Sequence, residues 1–238
     1  MNYRIILGLL SLNLFIPFFV VADTYSASEK FYFGIGGGII SPNDVDINVK
    51  TAGTINGVTF SANIDGEFQF EDGYQISGIL GYRLSDSLSL ETDISYSQFD
   101  YDKVNLTVGG TAISGGVTFT GNANSSYVVD GTISAFSMIF GPSFDYDLNR
   151  QIELLFGGGI GFASHNDEIK SVGNSTGLSY DQDQTDFAAK FKTGFNYSID
   201  INTFFQGEYG FNYVNSGIEN YSSDFTAHTY SARLLFNF

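Results

Sequence analysis

Hydrophobic and polar residues alternate with a period of two along most of the chain after residue 30. In the stretch "GYQISGILGY", Tyr74, Ile76 and Leu80 fall on one face, while Gln75 and Ser77 fall on the other. Successive side chains of a β-strand point to opposite sides, so this alternation predicts a strand with one apolar face. Recurrence of the pattern predicts eight strands, at residues 31–40, 73–83, 88–97, 136–145, 152–162, 187–197, 205–213 and 229–238.

The connections between these strands alternate in length. The tight ones lie at residues 85–87, 147–150 and 198–202, and the long ones at residues 41–72, 102–130, 163–185 and 215–226. An even number of antiparallel strands, with short turns on one side and long loops on the other, is typical of a transmembrane β-barrel. A soluble β-sandwich or a lipocalin-like barrel also alternates, and in such a protein the apolar face would be the core.

Two features favour the membrane barrel over the soluble alternative. Several runs carry Tyr or Phe at their ends, as the aromatic girdles of membrane barrels do at the two interfaces. The stretch "HTYSARLLFNF" places Tyr230, Leu234, Phe236 and Phe238 on a single face. We therefore predict an all-β fold, an eight-stranded antiparallel transmembrane β-barrel with short periplasmic turns and long extracellular loops.

These residues carry a family resemblance. The strand with Tyr230, Leu234, Phe236 and Phe238 resembles the carboxy-terminal signal by which the assembly machinery recognises bacterial outer-membrane proteins. The stretches "FGIGGGI" and "FGGGIGF" are similar to strands of the small eight-stranded outer-membrane barrels, a superfamily with opacity-type, porin-like and outer-membrane protein A-like members. The resemblance implies the outer membrane of a Gram-negative-type bacterium as the location, and outer-membrane lipids and the barrel-assembly machinery as partners.

The composition agrees with a β-structure that is exported. The chain has 28 Gly, 24 Phe and 15 Tyr but no Trp and no Cys, and its formal net charge is −16. Such an acidic chain is repelled by a phosphate backbone, so we expect no nucleic-acid partner. The lack of Cys excludes a disulfide framework.

The first 22 residues have the pattern of a secretory signal peptide. Arg4 precedes an apolar run, and Val20, Val21 and Ala22 provide a small-residue cleavage site before Asp23. The alternative is a transmembrane anchor, for which the apolar run is short. We predict a signal peptide at residues 1–22, cleaved near Ala22, followed by one barrel domain at residues 23–238.

The polar faces of the strands would line the lumen. The first and fifth strands, which lie across from each other in a ring of eight, would contribute the glycines Gly34, Gly36, Gly38, Gly157, Gly159 and Gly161. An eight-stranded barrel is just wide enough for its side chains to fill it, so bare backbone there leaves room for long charged residues on the other strands. These predicted lumen charges are Arg83, Glu91, Asp93, Glu153, Lys190, Lys192, Glu208 and Arg233.

Three of these charges fall at similar depth on consecutive strands. Lys192, Glu208 and Arg233 are so placed that Glu208 is expected to bridge both cations. Buried charges must be paired, and this pairing predicts a structural plug in the lumen. The alternative is an ion path or gate formed by the same groups.

Signals for catalysis, cofactors or metals are weak. "GNSTG" matches G-x-S-x-G but lies in a predicted loop and not in a strand-to-helix turn. His228 and Ser231 fall on opposite strand faces, whereas His165 and Asp167 share one. "DQDQTD" lacks the glycine and the distal Glu of a calcium loop. We therefore expect no enzyme activity, no catalytic residues, no cofactor and no metal site.

The first two long loops contain a repeat. "NGVTFSAN" and "GGVTFTGN", at residues 56–63 and 115–122, have glycine-rich centres and β-branched flanks, and both are typical of hairpins. We expect these hairpins to pair with each other as a raised rim. The expected function is a surface barrel with a structural, envelope-integrity or adhesion role, which contacts a host or cell-surface ligand through its loops. The alternatives are a narrow channel for ions or small solutes and a lipid-modifying enzyme.

Overall fold

The computed structural model describes residues 30–173, 175–215 and 224–238, and among the residues from 175 to 182 it describes the backbone only. The predicted signal peptide lies outside the described residues. No helix in the described ranges is long and apolar enough to cross a membrane.

The described chain is built from ten β-strands. Their bounds are β1 Phe31–Pro42, β2 Val45–Ile55, β3 Val58–Phe70, β4 Gly73–Ser85, β5 Leu88–Ser114, β6 Val117–Asp147, β7 Ile152–Val172, β8 Ser175–Ser198, β9 Thr203–Val214 and β10 Phe225–Asn237.

Eight of these strands close into a barrel. Antiparallel pairing runs β1–β4–β5–β6–β7–β8–β9–β10, and β10 pairs back onto β1. Seven of the eight predicted strands lie within these elements and the eighth extends one residue beyond β10, and the short turns lie at residues 86–87, 148–151 and 199–202. The prediction of an eight-stranded antiparallel barrel is therefore confirmed.

The remaining two strands extend the wall on one side. β2 and β3 form a hairpin whose turn, Asn56-Gly57, has positive φ at both residues (51° and 78°), as a tight two-residue hairpin turn requires. β3 pairs with the upper part of β5 from Thr59↔Ile113 to Phe70↔Tyr101, and β5 continues into its own hairpin with β6. We name β2, β3 and the upper parts of β5 and β6 the raised sheet, and its pairing agrees with the rim predicted from the repeat.

The outer surface of the barrel carries an apolar belt. Ile35, Leu80, Phe140, Ile160 and Phe191 are each between 54% and 61% exposed, which is unusual for large apolar side chains. A wide exposed apolar surface is stable in lipid hydrocarbon but not in water. The outward face is therefore the lipid face, and the soluble alternative, in which the same residues would form the core, is wrong.

The interior is divided into two regions along the barrel axis. The lower half, toward the short turns, contains buried charged and polar side chains. The upper half contains an apolar cluster formed by Ile40, Phe99, Tyr101, Val104, Val129, Ile133 and Ala227.

Candidate functional site

The lower half of the lumen is filled by six charged side chains that we name the lumen charge cluster. Its members are Glu91 and Asp93 on β5, Lys190 and Lys192 on β8, Glu208 on β9 and Arg233 on β10, and each is at most 6% exposed. They alternate with outward apolar residues in the sequence, so the period of two that builds the lipid face also turns these charges inward. Three cations face three carboxylates, and the formal charges cancel.

Arg233 and Glu208 form the centre of the cluster. Arg233 NH1 lies 2.5 Å from Glu208 Oε2, and Arg233 NH2 lies 3.0 Å from Asp93 Oδ2. The remaining donors of the guanidinium reach Ser77 Oγ at 2.9 Å and Gln206 Oε1 at 3.1 Å. The side chain of Arg233 is fully buried, and its planar fork binds groups from three other strands.

The two lysines complete the cluster from β8. Lys190 Nζ lies 2.7 Å from Asp93 Oδ2 and 2.8 Å from Glu208 Oε1. Lys192 forms an ion pair with Glu91, which also accepts a hydrogen bond from the Tyr32 hydroxyl of β1. Because β5 and β8 are three strands apart in the ring of eight, the contacts of Lys190 with Asp93 and of Lys192 with Glu91 cross the lumen and do not merely line its wall.

The predicted bridge from Glu208 to Lys192 and Arg233 is present, and Lys190 joins it. Lys192 Nζ is 3.8 Å from Glu208 Oε2, whereas Lys190, which was not assigned to that bridge, is 2.8 Å away. Lys192 pairs with Gly210 of β9, one inward position above Glu208, but its amine contacts Glu91 of β5, whereas Lys190, two inward positions above Glu208, extends down to it. Counting residues from the short turns therefore identified Lys192 and Arg233 as partners of Glu208 but missed the shorter contact with Lys190.

Two predicted lumen charges lie outside the cluster. The Arg83 guanidinium carbon lies 5.6 Å from the centroid of the Tyr32 ring and 5.8 Å from that of Phe204, a cation–π arrangement near the short-turn end. Glu153 accepts a hydrogen bond from Asn196 Nδ2 at 3.4 Å. Sequence reasoning did not assign Asn196 or Gln206, although both occupy inward positions; Gln206 Nε2 donates to Asn196 Oδ1 at 3.0 Å and connects Glu153 to Arg233.

All six predicted lumen glycines face inward, but they serve different purposes. A Cβ on Gly36 would lie 2.7 Å from Cγ of Arg233, and one on Gly157 would lie 3.0 Å from Cε of Lys192. These two glycines leave room for the charged side chains, as predicted. Gly210 has the same role beside Lys190, with 2.9 Å to its Cε, and was not predicted.

At the other predicted glycines the charged side chains are not the neighbours. A Cβ on Gly34 would meet Leu235, and on Gly38 the carbonyl oxygen of Tyr230. On Gly159 and Gly161 it would meet the carbonyl oxygens of Phe140 and Met138, at 2.4 and 1.8 Å. At Gly38, Gly159 and Gly161 the neighbouring backbone lies too close for a side chain, and at Gly34 the side chains of Leu235 and Ile79 fill the space; Gly159 also borders the small void beside the charge cluster.

Little space remains beside the cluster. A void of about 10 Å³ lies among Glu91, Asp93, Lys190, Lys192 and the glycine backbone of β6 and β7. That volume is about enough for one water molecule. The cluster therefore closes this level of the lumen.

The other predicted residues are placed as follows. Tyr230, Leu234 and Phe238 are 57%, 42% and 61% exposed on the lipid face, and Phe236 stacks on Phe33 of β1 with ring centroids 5.1 Å apart. His228 faces outward, and its Nδ1 is hydrogen-bonded to the Tyr209 hydroxyl oxygen at 2.8 Å. Ser231 is buried inside the barrel, so His228 and Ser231 do not meet.

His165 and Asp167 share the inward face of β7, and a third group accompanies them. Asp186 Oδ2 on β8 lies 3.8 Å from His165 Nδ1. "GNSTG" includes residue 174, which lies outside the described residues, as does the side chain of Asp181 in "DQDQTD". Within the described ranges, no group of three or more His, Cys, Asp or Glu side chains is arranged to hold a metal ion.

Comparisons with known proteins bear on the fold. No family model matches the chain, and no curated protein matches it. Among solved structures, the outer membrane protein OprG from Pseudomonas aeruginosa is similar to this chain with a TM-score of 0.50 and 12% identity, over 89% of this chain and 98% of OprG.

Two further solved structures cover nearly the whole barrel. Neisserial surface protein A matches with a TM-score of 0.45 and 16% identity, over 87% of this chain and 97% of its own. The outer membrane protease OmpT from Escherichia coli matches with a TM-score of 0.48 and 13% identity, over 91% of this chain and 99% of its own. At 12% identity the likeness to OprG concerns the fold alone, and it agrees with the closed ring of strands and the exposed apolar belt. The chain has the fold of the small eight-stranded outer-membrane β-barrels.

Proposed function

We propose that this protein is a non-conducting surface barrel of the outer membrane, with a structural or adhesive role carried by the part that projects beyond the lipid. The observation that carries the proposal is the lumen charge cluster, whose ion pairs connect β5 to β8 and β10 across the interior, while Glu208 of β9 pairs with the cations of β8 and β10. An ion that crossed this level would have to separate buried pairs, and breaking a buried pair typically costs about 3–5 kcal/mol.

The lipid face and the strand that carries Tyr230, Leu234, Phe236 and Phe238 support the location and the partners. The exposed apolar belt fits outer-membrane lipids, and the final described strand keeps the aromatic outward face of an assembly signal. Outer-membrane lipids and the barrel-assembly machinery are therefore included in the proposal. Replacing Phe238 with Asp should reduce assembly into the membrane, measured as the fraction of the chain that shows barrel-type gel mobility without boiling.

The raised sheet supports a role in contact with other molecules. Side chains on both faces of β6 between Val117 and Val128 are exposed, in a segment that pairs with β5 on one side only. A two-sided exposed sheet contributes little to a core, so its length favours a role outside the barrel. A host or neighbouring cell-surface molecule is the proposed partner class.

Conductance in planar bilayers tests the closed lumen. Wild-type protein should give no stable conductance, whereas the double variant Glu91→Ala/Lys192→Ala, which removes a matched pair without leaving an unpaired charge, should give small, frequent openings. The control is Asp102→Ala/Lys103→Ala, which removes an exposed pair with a 3.8 Å separation outside the lumen. A large stable conductance of the wild-type protein, unchanged by the double variant, would establish the channel alternative.

Adhesion is tested by shortening the β5–β6 hairpin. Replacement of residues 105–126 by an Asn-Gly turn removes most of the upper pairing between β5 and β6 but retains the barrel register below it. Bacteria that display the shortened barrel at an equal surface level should adhere less to host cells or to each other. Equal adhesion of both strains would remove the raised sheet from the proposal.

A further inference from the structure

Above the lumen charge cluster, the upper half of the barrel contains a second feature, a cavity of about 100 Å³. We name it the upper cavity. Its wall is mostly apolar and includes Phe70, Phe99, Ile133, Ala163, Ala188 and Phe225. Phe99 and Phe225 stack with ring centroids 5.5 Å apart, and Phe70 meets both rings edge-on at 5.7 and 6.1 Å. The cavity is therefore built from packed, well-positioned side chains.

Two polar oxygens in this apolar wall lack hydrogen-bond partners. Gln75 Oε1 on β4 and Asp167 Oδ1 on β7 are buried and accept no hydrogen bond, and their side chains belong to residues only 5% and 7% exposed. Both residues line the upper cavity. A buried acceptor without a donor costs about 1–3 kcal/mol, so such atoms require an explanation.

Asp167 lies above the lipid-facing belt. Its neighbours at the same level, Thr132 and Glu168, face outward, and Thr132 pairs with Asp100, so the outer surface at this height is polar. Burial raises the pKa of the Asp167 carboxyl, and the nearby His165 opposes that shift. A cation placed beside Asp167 would offset the cost of burying its charge.

The surroundings of the cavity also favour a cation. The wall at and above this level carries Asp44, Asp46, Glu67, Asp100, Asp102 and Asp130, against Lys50, Lys103 and Lys170. An acidic mouth raises the local concentration of cations and lowers that of anions. Aromatic ring faces in the wall add a further attraction for an organic ammonium ion.

We propose that the upper cavity is a binding site for a small primary alkylammonium ion. Its hydrocarbon part packs against the ring faces of Phe70 and Phe99, and its ammonium group donates to Asp167 Oδ1, with Gln75 Oε1 as a second acceptor in the same cavity. An apolar cavity of about 150 Å³ holds a benzene molecule, so about 100 Å³ fits a ligand with a chain of roughly four carbons. The upper cavity lies above the lumen charge cluster, on the side away from the short turns. The binding proposal does not depend on the adhesive role.

The test uses the full-length barrel in lipid nanodiscs, with n-butylammonium as the probe and n-butanol and n-butyrate as matched neutral and anionic probes. The chain has 2 His residues, His165 at the cavity and His228 on the lipid face. Ring signals in protein labelled with ¹³C-histidine therefore report on the cavity and on the lipid face separately. Butylammonium should shift the His165 signal in a saturable manner, butanol should do so more weakly, and butyrate should not. The His228 signal should not saturate with any of them.

Two variants separate recognition from folding. Asp167→Asn should weaken butylammonium binding by about tenfold or more, because a charge-assisted hydrogen bond is lost, while butanol binding stays within a factor of about two. Glu168→Gln is the control, since Glu168 is the adjacent carboxylate on the outward, exposed face. If Asp167→Asn does not fold, Gln75→Leu with wild-type Asp167 tests the second acceptor, with an expected loss of about threefold or more.

The proposal is overturned by any of three results. These are a His165 signal that does not respond to butylammonium, equal binding of butylammonium and butyrate, and equal butylammonium affinities of the wild-type protein and Asp167→Asn.

Discussion

The two halves of the barrel interior differ in how their buried polar groups are paired. In the lower half, each charge of Lys190, Glu208 and Arg233 has at least two partners within the protein. In the upper half, aromatic and aliphatic side chains fill most of the space, and Gln75 Oε1 and Asp167 Oδ1 have no hydrogen-bond partner. Polar groups that are paired within the protein stabilise the barrel and close its lumen. A polar group without a partner in an apolar wall is available to bind a ligand.

The largest expected effect comes from the lower half. Glu208→Ala removes the carboxylate shared by Arg233 and Lys190 and leaves an excess of buried positive charge. The free energy of unfolding should fall by about 3–5 kcal/mol, measured by urea unfolding in lipid vesicles with gel mobility as the readout. Glu168→Gln, at an exposed position, should change it by less than about 0.5 kcal/mol. A loss of similar size in both variants would mean that the cluster is no more important than a surface carboxylate.

A smaller loss is expected where the wall makes room for the cluster. Gly36→Ala places a Cβ 2.7 Å from Arg233 Cγ and 2.0 Å from the Ala232 carbonyl oxygen, so the strand must shift. The expected cost is about 1–3 kcal/mol in the same assay. Gly121→Ala on the raised sheet, where a Cβ would meet nothing within 4 Å, is the matched control and should be nearly neutral. Equal stability of the two variants would show that the strands beside Gly36 can shift to accommodate a Cβ at little cost.

A substitution in the aromatic wall of the upper half should reduce stability less than one in the lumen charge cluster. Phe225→Leu keeps an apolar side chain but loses the stacked contact with Phe99. We expect a cost of less than about 1.5 kcal/mol, together with weaker binding of n-butylammonium because one ring face is gone. Phe205→Leu on the lipid face is the control, and its effect on ligand binding should be negligible. A stability loss as large as that of Glu208→Ala would mean that the upper half contributes as much to the stability of the barrel as the lower half.

The smallest expected change has the opposite sign. Gln75→Leu removes a buried acceptor that lacks a partner, so the empty barrel should become more stable by about 1 kcal/mol. The control, Gln69→Leu, removes an amide that donates to Glu67 at 2.7 Å and should bring no gain. Destabilisation by Gln75→Leu would indicate that the oxygen of Gln75 is satisfied in solution and that the two halves differ less than the structure indicates.

Much of this architecture could be predicted from the alternation of residues. One face of each strand must meet lipid, so the positions of Ile35 and Phe191 also determine that Gly36 and Lys192 face inward. The same parity correctly separated His228 from Ser231. It also placed Lys192 and Arg233 beside Glu208, as the structure has them, but the alternation gives no distances, and only the structure shows that Lys190 lies nearer to Glu208 than Lys192 does.

The glycines show the same limit. Gly36 and Gly157 lie beside charged stems as predicted, whereas Gly159 and Gly161 are excluded from having side chains by the carbonyl groups of β6. All four occupy equivalent positions in the alternation, so no pattern in the sequence distinguishes them. The structure distinguishes them by the charged stem beside Gly36 and Gly157, since the backbone is close at Gly36 as well, with the Ala232 carbonyl oxygen 2.0 Å from an added Cβ.

The amino-acid sequence by itself determined that the chain forms eight alternating strands, which face of each meets lipid, which charges lie inside and that two loop hairpins form a raised sheet. The reason is that side chains alternate between the two faces along each strand, and that in lipid every backbone N–H and C=O group must be hydrogen-bonded within the protein. Both constraints act on each strand and can be read from its own residues. Only the tertiary structure decided that Lys190 lies nearer than Lys192 to Glu208, that Gln75 and Asp167 face one cavity, and that their oxygens lack donors. Gln75 and Asp167 lie on strands far apart in the chain, and the relative heights of all these side chains depend on the stagger at which the ring closes.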